Sequence, residues 1–329
     1  YETAQRTQSP LIADKYWMKN LMSITGGVDA SESSQFNGFM DEYKAITDDT
    51  LFGGKTEKFN KTSVATVQQA SSTKIADLFQ EGLGFIQYFG HSSATTFEFN
   101  LSSPEVYNNT GKYPFFNASG CTAGNYYTYD PLRLTGSQTL SDKYIFANQK
   151  GSIGFMADTH YGIPFALHEY NLRFCKNFSL LMYGQTVGDQ IKQVTSSLNG
   201  LNTALDYYTR IHLEEINLHG DPAIKINSFP KADYVIEEQS VKINPNIITV
   251  ADPSFNVKIE MKNIGRAVKE SIRVYVKRLL PNATVPVTII DSLIPAAAIK
   301  NIDSLNFNLP INASTDKGQN KLIVELDWT

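Results

Sequence analysis

Cysteine is scarce in this chain: only Cys121 and Cys175 occur among 329 residues, too few for a framework of disulfides. Long apolar runs are missing as well. No segment approaches the ~20 residues needed to span a bilayer, so no transmembrane segment is expected. Neither sign of charge dominates, with 29 Lys and Arg against 33 Asp and Glu and a formal net charge of −4. Without a basic run or an arginine-rich face, nucleic acid is not an expected partner. The opening "YETAQRTQSP" has no initiator methionine, no charged n-region and no apolar signal core, so the chain reads as a piece of a longer one. What is plentiful is uncharged polarity from Asn, Ser, Thr and Tyr, which suits a secreted or envelope protein. Hydrophobic residues make up 42%, ample for real cores, and the length suggests roughly two domains.

Residues 1–230 alternate strand-like and helical segments. Strands are expected at 20–27 ("NLMSITGG"), in "TEKFNKT", at 84–90 ("GFIQYFG"), at 113–119 ("YPFFNAS") and at 151–158 ("GSIGFMAD"). Between them, 31–46 carries Phe36, Phe39, Met40 and Tyr43 at helical spacing, with Ser31 or Ser33 as a cap. Residues 71–82 and 140–149 read as helices, the former stopped by Gly82, and helices follow at about 164–183, 186–197 and 203–217. Near-continuous apolar strands separated by helices imply an α/β module with a parallel sheet covered on both faces. Its ligand site is expected beyond the carboxyl ends of the strands. Residues 231–329 change character. Alternating stretches such as "FNVKIEMKN" and "SIRVYVKRL", with turns about every ten residues, predict an all-β sandwich of immunoglobulin-like class.

Three strand ends carry unusual residues: Asp29 and Glu32 after "ITGG", His91 and Ser92 after "IQYFG", and Cys121 within "NASGCTAGNYYTYDP". Neighbouring parallel strands lie ~4.8 Å apart, so these residues converge on one edge of the sheet. A cysteine nucleophile needs a nearby base and backbone donors for the oxyanion. A histidine needs an acid or carbonyl on its other nitrogen to fix its tautomer. Gly90, Gly120 and Gly124 allow sharp turns and close approach to a substrate carbonyl. Each residue also has a plainer reading. Free cysteines are mostly buried hydrophobes, and Cys175 is assigned to a helical apolar face with Phe174, Phe178 and Leu181. His91 alone would be a structural histidine, and Asp29 or Glu32 could simply cap the following helix. Asp158 and His160 end a further strand and are candidates to line a substrate pocket, together with Tyr126; ordinary loop polarity is their alternative. His168, His212 and His219 fall on helices or in a tail without metal-ligand spacing, which speaks against zinc.

"GFIQYFGHSS" followed by "PFFNASGCTAGNYYTYDP" resembles the gingipain-type cysteine peptidases, with glycine-histidine after one strand and cysteine thirty residues later after another. The resemblance continues through "NQKGSIGFMADTHYG" to the closing "LHGDPAIKI" and covers about residues 17–228. It implies a caspase-like fold followed by an immunoglobulin-like domain, and a cysteine endopeptidase that needs no organic cofactor. Cys121 would be the nucleophile and His91 the base and acid, with Asp29 the first choice of orienting acid and Glu32 the second. The backbone N–H groups of Cys121 and Ser92 would serve the oxyanion, and Ser92 departs from the family's usual glycine. The substrate would be a protein or peptide. A structural calcium is allowed by the carboxylates and carbonyls of "GGVDASES" and "TYDP". "TYDP" is similar to the branch containing the type IX secretion sortase, which implies a bacterial surface or secreted location with outer-membrane or secretion-system association. Two other readings share the site: a degenerate, non-catalytic module acting as a surface platform, and a sortase-like transpeptidase.

Overall fold

Four apolar runs of the first segment and the more polar run 55–60 pair side by side, joined by one antiparallel strand. In the computed structural model, which describes residues 11–61, 69–99, 101–127, 138–200, 206–227, 229–267, 271–294 and 302–327, the strands are β1 (Asn20–Gly26), β2 (Lys55–Asn60), β3 (Phe85–Gly90), β4 (Phe115–Ser119), β5 (Gly154–Asp158) and β6 (Ile216–Gly220). Their order across the sheet is β2-β1-β3-β4-β5-β6. The first five run parallel. β6 runs antiparallel to β5, pairing Gly220 with Gly154 and Ile216 with Asp158. The final strand corrects the sequence reading, which placed 216–217 in a helix and His219 in a tail. A turn of chain after the last helix instead closes the open side of β5.

Strand side chains alternate between the two faces, and each face is covered. On one, Leu21, Phe85, Phe89, Phe115 and Met156 pack with α1 (Ala30–Asp48), α4 (Pro164–Lys176) and α5 (Val187–Gly200), which supply Phe36, Met40, Leu167, Phe174 and Val194. On the other, Met22, Ile24, Ile86, Tyr88, Phe116 and Phe155 pack with α2 (Gln69–Glu81) and α3 (Leu140–Phe146) through Ile75, Phe79, Leu140 and Tyr144. The caspase-like arrangement of a mainly parallel sheet between helices is therefore present. Gly82 ends α2 in the left-handed region, φ +105°, where a side chain would meet Lys112 and Trp17, each at 2.7 Å. A last helix, α6 (Tyr207–Glu215), leads into β6; the earlier part of its expected span lies outside the described residues, as does "TYDP".

Cys175 is fully buried among Phe174 and Phe178, as expected of a core thiol. Leu181 does not join it. The helix widens to π spacing over Asn177–Leu181, which rotates Leu181 off the apolar face to 69% exposure. Among the described residues no helix is long and apolar enough to cross a membrane.

The chain divides into two compact units, Tyr1–Pro230 and Lys231–Thr329. The second holds two antiparallel sheets around one core. β11 (Val287–Ile294), β10 (Ile272–Leu279) and β13 (Lys321–Asp327) form one; β12 (Ile302–Pro310), β9 (Ser254–Asn263) and β7 (Tyr234–Val235) form the other, with β8 (Val241–Asn244) also on β9. Val257, Ile259, Met261, Val274 and Val276 fill the space between them. Sequence alternation marked β9, β10, β11 and β13; the two-residue β7, the four-residue β8 and β12 went unmarked, although Leu305, Phe307 and Leu309 of β12 alternate with Asn306 and Asn308.

Phe116 touches Phe155 and Tyr144 at centroid distances of 4.8 and 4.9 Å and has no exposed surface. Phe116→Ala is expected to destabilise the first unit by about 3–5 kcal/mol, read as a lower urea midpoint of that unit's transition.

Candidate active site

β1 and β3 end in register at Gly26 and Gly90. A Cβ on Gly90 would stand 2.6 Å from the Gly26 backbone, so the two ends approach only because residue 90 is glycine, and a Cβ on Gly26 would meet the Tyr88 hydroxyl. The Gly26 carbonyl then accepts the His91 N–H at 3.0 Å, and the Tyr88 hydroxyl donates to the His91 carbonyl. His91 starts a short ribbon in which Ser93 N donates to Thr96 O and Glu98 N to His91 O. Ser92 and Phe97 are therefore the non-hydrogen-bonded pair of that ribbon. That pairing turns the Ser92 N–H away from Phe97.

The acid facing His91 is Glu32. Its Oε2 lies 2.9 Å from His91 Nε2 and also accepts the Val28 N–H at 3.1 Å. Asp29, the first choice from sequence, is instead the N-cap of α1: its Oδ1 accepts the Glu32 N–H at 2.9 Å. Neither Ser31 nor Ser33 is the cap. The reversal has a simple cause. A cap side chain folds back onto the first turn, whereas the residue three places on, one helical turn in, can reach outward. The Asp29 and Glu32 carboxylates of "GGVDASES" are engaged here with the helix start and the imidazole. Among the described residues no cluster of three or more His, Cys, Asp or Glu side chains is arranged to hold a metal.

Cys121 follows β4 and is partly exposed; the His91 side chain is 46% exposed. Neither group is walled into the core. Below them a buried polar network ties β3, β4 and α4 together. Asn117 Nδ2 donates to Gln87 Oε1 at 2.8 Å, and Ser119 Oγ accepts from Asn171 at 2.7 Å and from Gln87 at 3.3 Å. Beyond Ser119 the chain turns at Gly120, where a Cβ would meet Ser92 Oγ and, at 2.5 Å, the Gly90 carbonyl. The Ser92 hydroxyl donates to the Cys121 carbonyl at 2.8 Å, joining the histidine and cysteine loops directly. Thr122 takes a left-handed φ of 54°. Its N–H donates to His160 O at 2.7 Å, and Gly124 N–H donates to Asp158 O at 2.8 Å.

Asp158 and His160 thus meet the cysteine loop through their backbone carbonyls. The Asp158 side chain is a correction to the pocket assignment: it is 1% exposed, with neither carboxyl oxygen hydrogen-bonded. As the last residue of β5 it follows the strand's alternation inward. Burial pushes its carboxyl well above the usual range, and the Glu215 charge pushes the same way. The His160 ring lies edge-on to Tyr161 at 4.5 Å on the exposed segment after β5. The Tyr126 ring lies tilted against Tyr127 at 4.0 Å and stands edge-on to His219 at 4.7 Å. Sequence reasoning missed His219. It sits on β6 behind the cysteine loop, its Nε2 3.1 Å from where a Gly124 Cβ would be, and burial lowers its pKa. Its position depends on the antiparallel strand, which local sequence pattern did not signal.

A sequence model of peptidase family C25 matches residues 2–227. Among solved structures, the Arg-specific cysteine proteinase gingipain R (RgpB) superposes with a TM-score of 0.51 at 12% identity, over 94% of this chain and 71% of that one. The complex of Porphyromonas gingivalis RgpB pro- and mature domains gives 0.51 at 12% identity, over 94% and 73%. A structure described as a protease gives 0.52 at 13%, over 99% and 70%. No curated protein sequence matched.

The folded Asp158 binds its proton more tightly than the unfolded chain, so its stabilising contribution is complete below the unfolded pKa of ~4 and is lost as pH rises toward the folded value. Asp158→Asn keeps the shape and removes that titration. Relative to wild type, the variant is expected to gain urea stability as pH rises from ~4, by up to about 1.4 kcal/mol per pH unit, and the midpoint difference against pH checks it.

Proposed function

Because the chain belongs to peptidase family C25, we propose that it is an exported cysteine endopeptidase, with Cys121 as nucleophile, His91 as base and acid, and Glu32 as the residue that orients the imidazole. The observation that carries this reading is the 2.9 Å contact between His91 Nε2 and Glu32 Oε2, at a strand end whose next residue hydrogen-bonds to the backbone of Cys121. A proton on Nε2, donated to the Glu32 carboxylate, leaves the Nδ1 lone pair as the proton acceptor. The Cys121 thiol gives its proton to Nδ1, and the sulfur attacks the peptide carbonyl carbon. The resulting oxyanion is met by the N–H groups of Cys121 and Ser92, the latter pointing away from its own ribbon. Collapse of the intermediate breaks the C–N bond, and the leaving amine takes the proton from His91. Water then attacks the thioester, giving a proton to His91 and releasing the carboxylic acid and the free thiol. No organic cofactor enters these steps, the substrate is a protein or peptide, and the bacterial cell surface or the medium is the proposed location.

The non-catalytic platform reading has one observation in its favour: Ser92 places a side chain against the cysteine loop. Labelling with an electrophilic peptide probe, located by mass spectrometry, decides between the two. Cys121 is expected to label, and Cys121→Ala to abolish labelling. His91→Ala is expected to slow it about 10²–10³-fold, and Glu32→Gln about tenfold through loss of imidazole orientation. Folded wild type that does not label at Cys121, or labels equally well without His91, would sink the peptidase reading in favour of the platform. A transpeptidase would form the same adduct and differ in transferring the acyl group to an amine in place of water.

A further inference from the structure

The peptide unit joining Cys121 to Thr122 is held at both of its polar atoms. Its carbonyl accepts the Ser92 hydroxyl at 2.8 Å, and its N–H donates to His160 O at 2.7 Å. Thr122 sits at φ 54°, a left-handed conformation that a β-branched residue keeps only when its surroundings enforce it. One restraint comes from the segment just after β5 and the other from the residue directly after His91. The second depends on Gly120, because a Cβ there would occupy the space that Ser92 Oγ fills. If the Ser92 bond were removed, the 121–122 unit would keep a single anchor and Thr122 could relax toward negative φ. The sulfur, one residue back, would move with it.

Resting on the peptidase reading above, we propose that the Ser92 hydroxyl is the positioning group of the nucleophile: by holding the Cys121 carbonyl it sets where the sulfur stands relative to the His91 ring. The role is separate from that of the Ser92 N–H, which any residue at the position supplies. It is also separate from general support of the fold, since the bond joins two half-buried loop residues above the sheet rather than core groups.

The test is the pH profile of Cys121 alkylation by iodoacetamide, read by mass spectrometry of the Cys121 peptide so that the buried Cys175 does not contribute. Wild type, Ser92→Ala, Ser92→Gly, His91→Ala and the Ser92→Ala/His91→Ala double variant are compared from about pH 5 to 9. Both Ser92 variants are expected to slow alkylation about tenfold near neutral pH and to move the midpoint upward, because a displaced sulfur loses its imidazole partner. In the His91→Ala background, Ser92→Ala is expected to add nothing, the non-additivity of groups acting through one another. Ser92 variants with the wild-type profile, or an equal Ser92 effect with and without His91, overturn the positioning role while leaving the peptidase reading intact. A His91→Ala profile identical to wild type removes the peptidase reading, and this inference with it.

Discussion

Parallel pairing of β1, β3 and β4 in matched register is the constraint on which the site depends. Leu21 opposite Phe85 opposite Phe115 fixes one end of the three strands, and the pairing carries to Gly26 opposite Gly90 and Phe89 opposite Ser119 at the other. Strands so aligned deliver their next residues to one edge whatever those residues are. The chemistry then depends on how tightly the edges approach, and here the two facing glycines decide. With a Cβ at Gly90 the strand ends would be pushed apart by contacts no side-chain rotation relieves, since the obstructing atoms are the Gly26 backbone, and a Cβ at Gly26 would strike the Tyr88 hydroxyl. The apolar layers beneath, rich in phenylalanine, hold that register because a slip by one residue would turn Phe85 and Phe89 to the opposite face.

Above the apolar layer the stabilising chemistry becomes polar. Gln87, Asn117, Ser119 and Asn171 are all nearly inaccessible yet bonded to one another, a network that favours one arrangement of β3, β4 and α4 over near alternatives. Asp158, one strand over, is the contrasting case. Its two unpartnered oxygens cost stability that the well-bonded network does not. Its backbone carbonyl nevertheless anchors Gly124, and its successor but one anchors Thr122. The cysteine loop therefore rests on the end of β5 and the segment after it through main-chain bonds, which are indifferent to the side chains of the residues that provide them.

Much of this was legible in sequence because it follows local rules. The β1, β3, β4 and β5 runs announce themselves by continuous apolar character, and α1 by Phe36, Met40 and Tyr43 at helical spacing. Cys121 and His91 stood out because reactive residues at strand ends next to glycine are informative in an α/β chain. The illegible parts are those set by long-range pairing. The acid could not be chosen from "GGVDASES" alone, since Asp29 and Glu32 differ only in where one helical turn points them. His219 could not be placed without knowing that β6 folds back beside β5. Leu181 was misassigned because a π-turn breaks the 3.6-residue period on which the assignment relied.

The Glu32–His91 contact also bears on what the acid can contribute. Glu32 is three residues past the cap, where the start of a helix favours negative charge, and the Val28 N–H shares its Oε2. Its side chain and that of His91 are 33% and 46% exposed, so water screens the Coulomb attraction between them. Strong charge stabilisation of an imidazolium is therefore not what this geometry is suited to supply. Direction is. A carboxylate fixed by a backbone N–H and by its place on the helix gives the imidazole one preferred ring orientation and one preferred tautomer, both of which survive screening. In the proposed mechanism the acid is then a steering group, and what it steers is useful only if the sulfur is held equally still on the neighbouring strand end, where Ser92 meets Cys121.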